Sequence, residues 1–129
     1  MSVSDLEIIE LANEMLRGKT EAHWRTSASS AYFAVFHCAN RLGDAVMPGR
    51  KLKMAEHKKL TERLRQSGPR GTALAYEIGK LKHQRVRADY RLGETFTKVE
   101  AENQVRLARD VMSATAHLMA DFPRVVEVR

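Results

Sequence analysis

The chain is poor in several things, and each shortage excludes a class of protein. Cysteine occurs once in 129 residues, as Cys38. An intramolecular disulfide is therefore excluded, and so is a cysteine-built zinc site within one chain. Long apolar runs are also missing. The most apolar-leaning stretch, residues 28–39, is interrupted by Ser29, Ser30 and His37, and it falls far short of the roughly 20 apolar residues that a membrane-spanning helix requires. Residues 1–16 carry Asp5, Glu7, Glu10 and Glu14, where a secretion signal has a basic start and an apolar middle. A soluble, cytoplasmic protein with no membrane role is the expectation. Three prolines and seven glycines fall between long segments of helical period, and no alternating strand-like run stands out.

What is present fits one globular domain. The chain is 43% hydrophobic and 29% charged, which argues against disorder, and its length allows a core that needs no disulfide or metal staple. The net charge of +6 is unevenly placed: residues 50–91 hold 13 of the 22 Lys and Arg against four acids, so this block carries +9 and the remainder −3. Such a block steers a protein towards nucleic acid or an acidic partner. It is also what a solvated helix face looks like, and charge alone does not separate the two.

The periodicity predicts an all-α, up-and-down bundle of four long helices and one short one. Ser4-Asp5-Leu6-Glu7 is a capping box, followed by Leu6, Ile9, Ala12 and Leu16 on one face and a stop at Gly18. A second helix is expected from about Thr20 to Leu42, ending near Gly43 before Met47-Pro48-Gly49. A short third helix spans about Ala55 to Gln66, and Ser67-Gly68-Pro69 ends it. The fourth covers about Thr72 to Tyr90, with Leu74, Ile78, Leu81, Arg85 and Ala88 on a single seam. Thr97-Lys98-Val99-Glu100 is a second capping box, opening a last helix patterned by Ala101, Val105, Ala108, Met112, Thr115, Met119 and Phe122. The tail from Val125 to Arg129 alternates apolar and charged residues.

Polar residues on these stripes are the candidates for function. Arg25, Ser29, Tyr32, Phe36 and Ala39 step by 4, 3, 4, 3, so a cation, a hydroxyl and a phenol share a face with core residues. An unpaired buried charge costs several kcal/mol, so Arg25 and Arg85 each require an acid, a carbonyl, water or a ligand anion. Asp89, one turn after Arg85, can pair with it or bridge both arginines. A structural ion network and a ligand or catalytic role are both open for these three. His57 opens a stripe with Leu60 and Leu64, His37 follows Phe36, and His83 lies among Lys80, Lys82 and Arg85. Each is a titratable candidate, although a helical histidine is more often a packing or capping residue. Glu-x-x-His, His-Glu-x-x-His, Gly-x-Gly-x-x-Gly and the phosphate-binding loop Gly-x-x-x-x-Gly-Lys-Ser/Thr are all missing, so di-iron, metalloprotease, dinucleotide and NTPase readings have no motif behind them. No metal or cofactor is expected.

Two segments together resemble the HEPN superfamily of small helical domains. Residues 25–37, from Arg25 through Tyr32 and Phe33 to Phe36 and His37, are similar to that family's second-helix pattern. Arg85-Val86-Arg87-Ala88-Asp89-Tyr90 is similar to the Arg-x-x-Ala-Asp-Tyr ending of the fourth helix in a large prokaryotic branch. His57-Lys58 matches that branch's short helix, and residues 97–112 its capped last helix. The resemblance implies a helical bundle, commonly a homodimer with its polar motif near the dimer groove. Many relatives are metal-independent toxin ribonucleases restrained by a nucleotidyltransferase-type antitoxin, their chemistry attributed to Arg-x-x-x-x-His. Here the position five after Arg85 is Tyr90. A phenol with its ordinary pKa of about 10 is a poor general base at neutral pH, while an arginine fork still binds phosphate.

The leading expectation is therefore a HEPN-like module that binds a nucleotide, RNA or a nucleotidyltransferase-type partner without efficient catalysis. Arg25, Ser29, Tyr32, His57, Arg85, Asp89 and Tyr90 would line or support its polar groove. One alternative is an active ribonuclease in which His57, His83 or His37 replaces the missing histidine. A second is a structural dimerisation module held by a buried ion network.

Overall fold

The computed structural model describes residues 3–46 and 56–121. Five helices and no strand occur among them: α1 (Asp5–Met15), α2 (Glu21–Val46), α3 (Glu56–Arg65), α4 (Pro69–Tyr90) and α5 (Lys98–Met119). The fold is an all-α, up-and-down bundle. No helix of the described residues is long and apolar enough to cross a membrane. The Met47-Pro48-Gly49 break, Ala55, Phe122 and the Val125–Arg129 tail lie outside the described residues.

α2 is the hub and packs against all four other helices. Its buried face is made largely of Ala28, Ala31, Ala34, Val35 and Ala39, all fully buried, and small side chains are what let helix axes approach closely on several sides. Leu42, Leu60, Leu64, Ile78 and Leu81 fill the space between helices. A smaller apolar cluster of Ala28, Ala88, Phe96 and Ala101 closes one end. Between them sits Gln104, whose Nε2 donates to the backbone oxygens of Leu81 (2.8 Å) and Ala28 (3.3 Å). One buried amide thus ties α5 to α4 and α2.

Local chemistry sets the helix ends. In α1 both arms of the Ser4–Glu7 box form. In α5 only the Thr97 arm is made, to the Glu100 amide, because the Glu100 carboxylate is taken by Arg87 at 2.7 Å. α4 starts at Pro69, three residues before the expected Thr72: proline lacks the amide that the first helical position leaves free anyway, and Gly68 precedes it at φ 101°. α2 runs through Gly43 to Val46 instead of stopping there. Gly43 serves a close approach, since a Cβ there would lie 3.0 Å from Arg63 Nε, and Arg63 pairs with Asp44 across it at 2.7 Å.

Two expected core positions differ. Leu6 is 67% exposed while Asp5 is buried, because α1 turns its Asp5–Ile9–Ala12 edge to α2, where Arg41 meets the Asp5 carboxylate at 2.9 Å. In α5, Leu118 is buried and Met119 only half-buried.

Candidate functional site

Six of the seven sequence candidates are linked where α2, α3 and α4 meet. Helical spacing places Ser29 and Tyr32 one turn apart on α2, and Arg85 and Asp89 one turn apart on α4. The Asp89 carboxylate accepts from Ser29 Oγ at 3.2 Å and lies 3.0 Å from Arg85 Nε. On the other side the Tyr32 hydroxyl sits 2.9 Å from His57 Nδ1 on α3.

Arg85 is held in an aromatic cage. Its guanidinium carbon lies 5.1 Å from the Phe33 ring centre, 5.6 Å from Tyr90 and 5.8 Å from Tyr32, within the range of cation–π attraction. Tyr90, otherwise exposed, joins the group this way. Although Arg85 Nε is close to Asp89, its N–H is not aimed at the carboxylate, and Nε has no hydrogen-bond partner among the described residues. The pair is an ion pair by distance and not a hydrogen-bonded fork. Direction decides here, because N–H···O bonds weaken steeply when bent. The Arg85 side chain keeps 22% of its surface open to solvent.

Two titratable groups of the cluster, His57 and Tyr32, are shifted far from neutrality. Burial, with a small contribution from the Lys82 charge, lowers His57 to about 4. Burial raises Tyr32 to about 12 despite the Arg85 charge that opposes the rise. His57 is thus neutral at pH 7, and with its proton on Nε2 its Nδ1 accepts from the Tyr32 hydroxyl. A base this weak and a phenol this reluctant make a poor acid–base couple, since proton transfer is most effective from groups with pKa near the working pH.

Arg25 lies outside this cluster, and Asp89 does not bridge the two arginines. Arg25 Nη1 donates to the carbonyls of Arg87 (3.0 Å), Ala88 (3.0 Å) and Arg91 (3.3 Å), Nη2 donates to the Glu94 carbonyl, and Nε meets Glu21 at 3.3 Å. A cation therefore satisfies the C-terminal end of α4, where helix carbonyls lack partners and the dipole is negative. Glu21 in turn accepts from the Phe96 amide at 2.7 Å, which with Arg25 holds its carboxyl below the usual range. Nothing in the stripe pattern signals this, because the partners are backbone carbonyls of a distant turn.

Of the histidines proposed as substitutes, His37 and His83 are exposed and only His57 contacts the cluster. Much of the basic block is offset locally: Lys59, Arg63, Arg70, Lys80, Arg87 and Arg91 each have an acid within 4 Å. The Arg87–Glu94–Glu100 set was invisible in the sequence pattern, since its acids follow the helix-ending turn. No group of His, Cys, Asp and Glu among the described residues is arranged to hold a metal. Beside His57, α3 and α4 enclose an open groove of about 510 Å³.

No protein-family model, curated protein or solved structure matches the chain. Function has to be argued from the site.

Proposed function

We propose that this chain is a HEPN-like binding module for the phosphate of a nucleotide or RNA, without efficient cleavage. The observation that carries the reading is the Arg85 guanidinium, caged by three rings, partly open to solvent and without a well-directed hydrogen bond from Nε. The planar fork of such a group donates to two oxygens of one tetrahedral phosphate. Asp89, held by Ser29, orients the arginine from behind. Lack of efficient cleavage follows from His57 and Tyr32, whose protonation states at pH 7 supply no matched acid and base. Homodimerisation and a nucleotidyltransferase-type partner protein belong to the same proposal, carried by sequence resemblance alone.

The test is fluorescence anisotropy with a labelled single-stranded oligoadenylate. Arg85→Ala is expected to weaken binding roughly tenfold or more, the size of one lost charge-assisted contact, with a shallower salt dependence. Incubation of unlabelled RNA without metal should leave it intact. A second reading, a structural dimerisation module, is favoured by the Ser29–Asp89–Arg85 link between α2 and α4. Unchanged RNA binding by Arg85→Ala together with a large fall in Tm would select that reading.

A further inference from the structure

The groove between α3 and α4 is lined by His57 and Arg65 from α3 and by Tyr76, Gly79, Lys80 and His83 from α4. Two of its features have no explanation within the chain. Gly79 stands in the interior of α4, where glycine is the least favourable residue after proline. Its backbone is ordinary helix, since Gly68 is the only described residue with positive φ, and a Cβ built on Gly79 meets nothing within 4 Å among the described residues. Gly71 shows the contrast: a Cβ there would lie 1.8 Å from Ser67 Oγ and 2.0 Å from the Leu64 oxygen. Packing therefore demands glycine at 71 and not at 79. The second feature is Tyr76, one turn before Gly79 and 69% exposed, with Lys80 Nζ 5.5 Å from its ring centre.

We infer that this groove receives a nucleobase, stacked on Tyr76 and lying over the bare backbone at Gly79. Sequence-tolerant nucleic-acid sites combine an aromatic platform with nearby cations, and the groove offers both. Arg65 is loosely paired with Glu62 at 3.7 Å and Lys80 with Glu77 at 3.0 Å, solvent-exposed pairs that cost little to rearrange. His57 belongs to both the groove and the Tyr32 contact, so the groove is linked through this histidine to the Arg85 cluster, although Arg85 itself lies outside the groove lining. The inference rests on the phosphate-binding reading of Arg85 and adds the base.

The experiment uses the full chain and a fluorescein-labelled oligoadenylate, with Tyr76→Ala, Gly79→Ala, Gly79→Gln and Arg85→Ala. Tyr76→Ala is expected to weaken binding by roughly fivefold to a hundredfold, the range of one lost base stack. Gly79→Gln should weaken it at least fivefold while not lowering Tm, and Gly79→Ala should raise Tm by roughly 3–5 °C. AMP should displace the probe at concentrations well below those of ribose 5-phosphate. Equal competition by the two, a Tm lowered by Gly79→Ala, or wild-type affinity in both Tyr76→Ala and Gly79→Gln overturns the base site. If Arg85→Ala alone loses binding, the phosphate reading stands without the groove. An absence of binding by the wild-type protein overturns both.

Discussion

Removal of the Arg25 side chain probes the most heavily used polar group in the structure. Arg25→Ala takes the donor from four carbonyls at the end of α4 and the loop after it. The Arg87 and Arg91 oxygens keep backbone donors, from the Arg91 and Glu94 amides, so their loss is small. The Ala88 oxygen is buried and has no other donor among the described residues, which at the usual cost of an orphaned acceptor is about 2 kcal/mol. The Glu94 oxygen lies in an exposed turn where water replaces much of the contact. The arginine stem and guanidinium also cover the buried Phe96 ring, 5.7 Å away. The whole change is expected to cost about 3–4 kcal/mol, a large share of the roughly 5–15 kcal/mol that holds a domain together. Urea unfolding followed by circular dichroism should show a midpoint lowered by roughly 2 M with an unchanged slope. Arg25→Lys should fall between, because an ammonium keeps the charge but loses the planar fork. A loss below about 1 kcal/mol in Arg25→Ala, on the scale of an ordinary surface substitution, would refute the clamp. So would intact stability accompanied by lost RNA binding.

Two further outcomes follow from the buried titratable groups. His57 is held at about 4 against 6.5 in an unfolded chain, so the unfolded state takes the proton first as pH falls. Stability is unaffected above about pH 6.5 and declines between 6.5 and 4, by about 1 kcal/mol once the partial exposure of the ring is allowed for. An imidazole NMR titration should show one midpoint near 4, and His57→Gln should flatten the stability profile in that window; a His57 midpoint near 6.5 would contradict the burial argument. Cys38 is buried, and that burial, reinforced by the Asp5 charge, raises its thiol to about 11. Labelling by a disulfide reagent at pH 8 should therefore proceed only through opening of the bundle and accelerate in urea; labelling at the rate of a free thiol in native buffer would count against it.

Much of the bundle was readable in advance because its signals are local. Caps at Ser4 and Thr97, the seam through Leu74, Ile78 and Leu81, and the rhythm of α5 each depend on residues within a few positions of one another. Where the reading of boundaries missed, a local residue had a tertiary reason. Gly43 makes room for Arg63, and Asp5 displaces Leu6 from the α1 face because Arg41 lies opposite. Gln104 looked like any polar residue of an amphipathic helix until the helices it joins were in place.

The candidate site divides in the same way. The stripes of α2 and α4 showed that Arg25 and Arg85 occupy positions where a charge needs a partner, and that inference required only the helical period. Which partner each finds was decided by the fold. Arg25 points to the end of α4 and meets backbone carbonyls, which every residue carries and which leave no mark in a sequence. Arg85 meets three rings and Asp89. Sequence determined the helices, their caps and the demand for compensation, since these follow from nearest-neighbour geometry. Only the packing of α2 against α3 and α4 decided that one arginine clamps backbone carbonyls and the other sits among aromatic rings beside Asp89, because pairs such as Arg25 with Ala88 and Ser29 with Asp89, 63 and 60 residues apart in the chain, become neighbours only when the core brings their helices together.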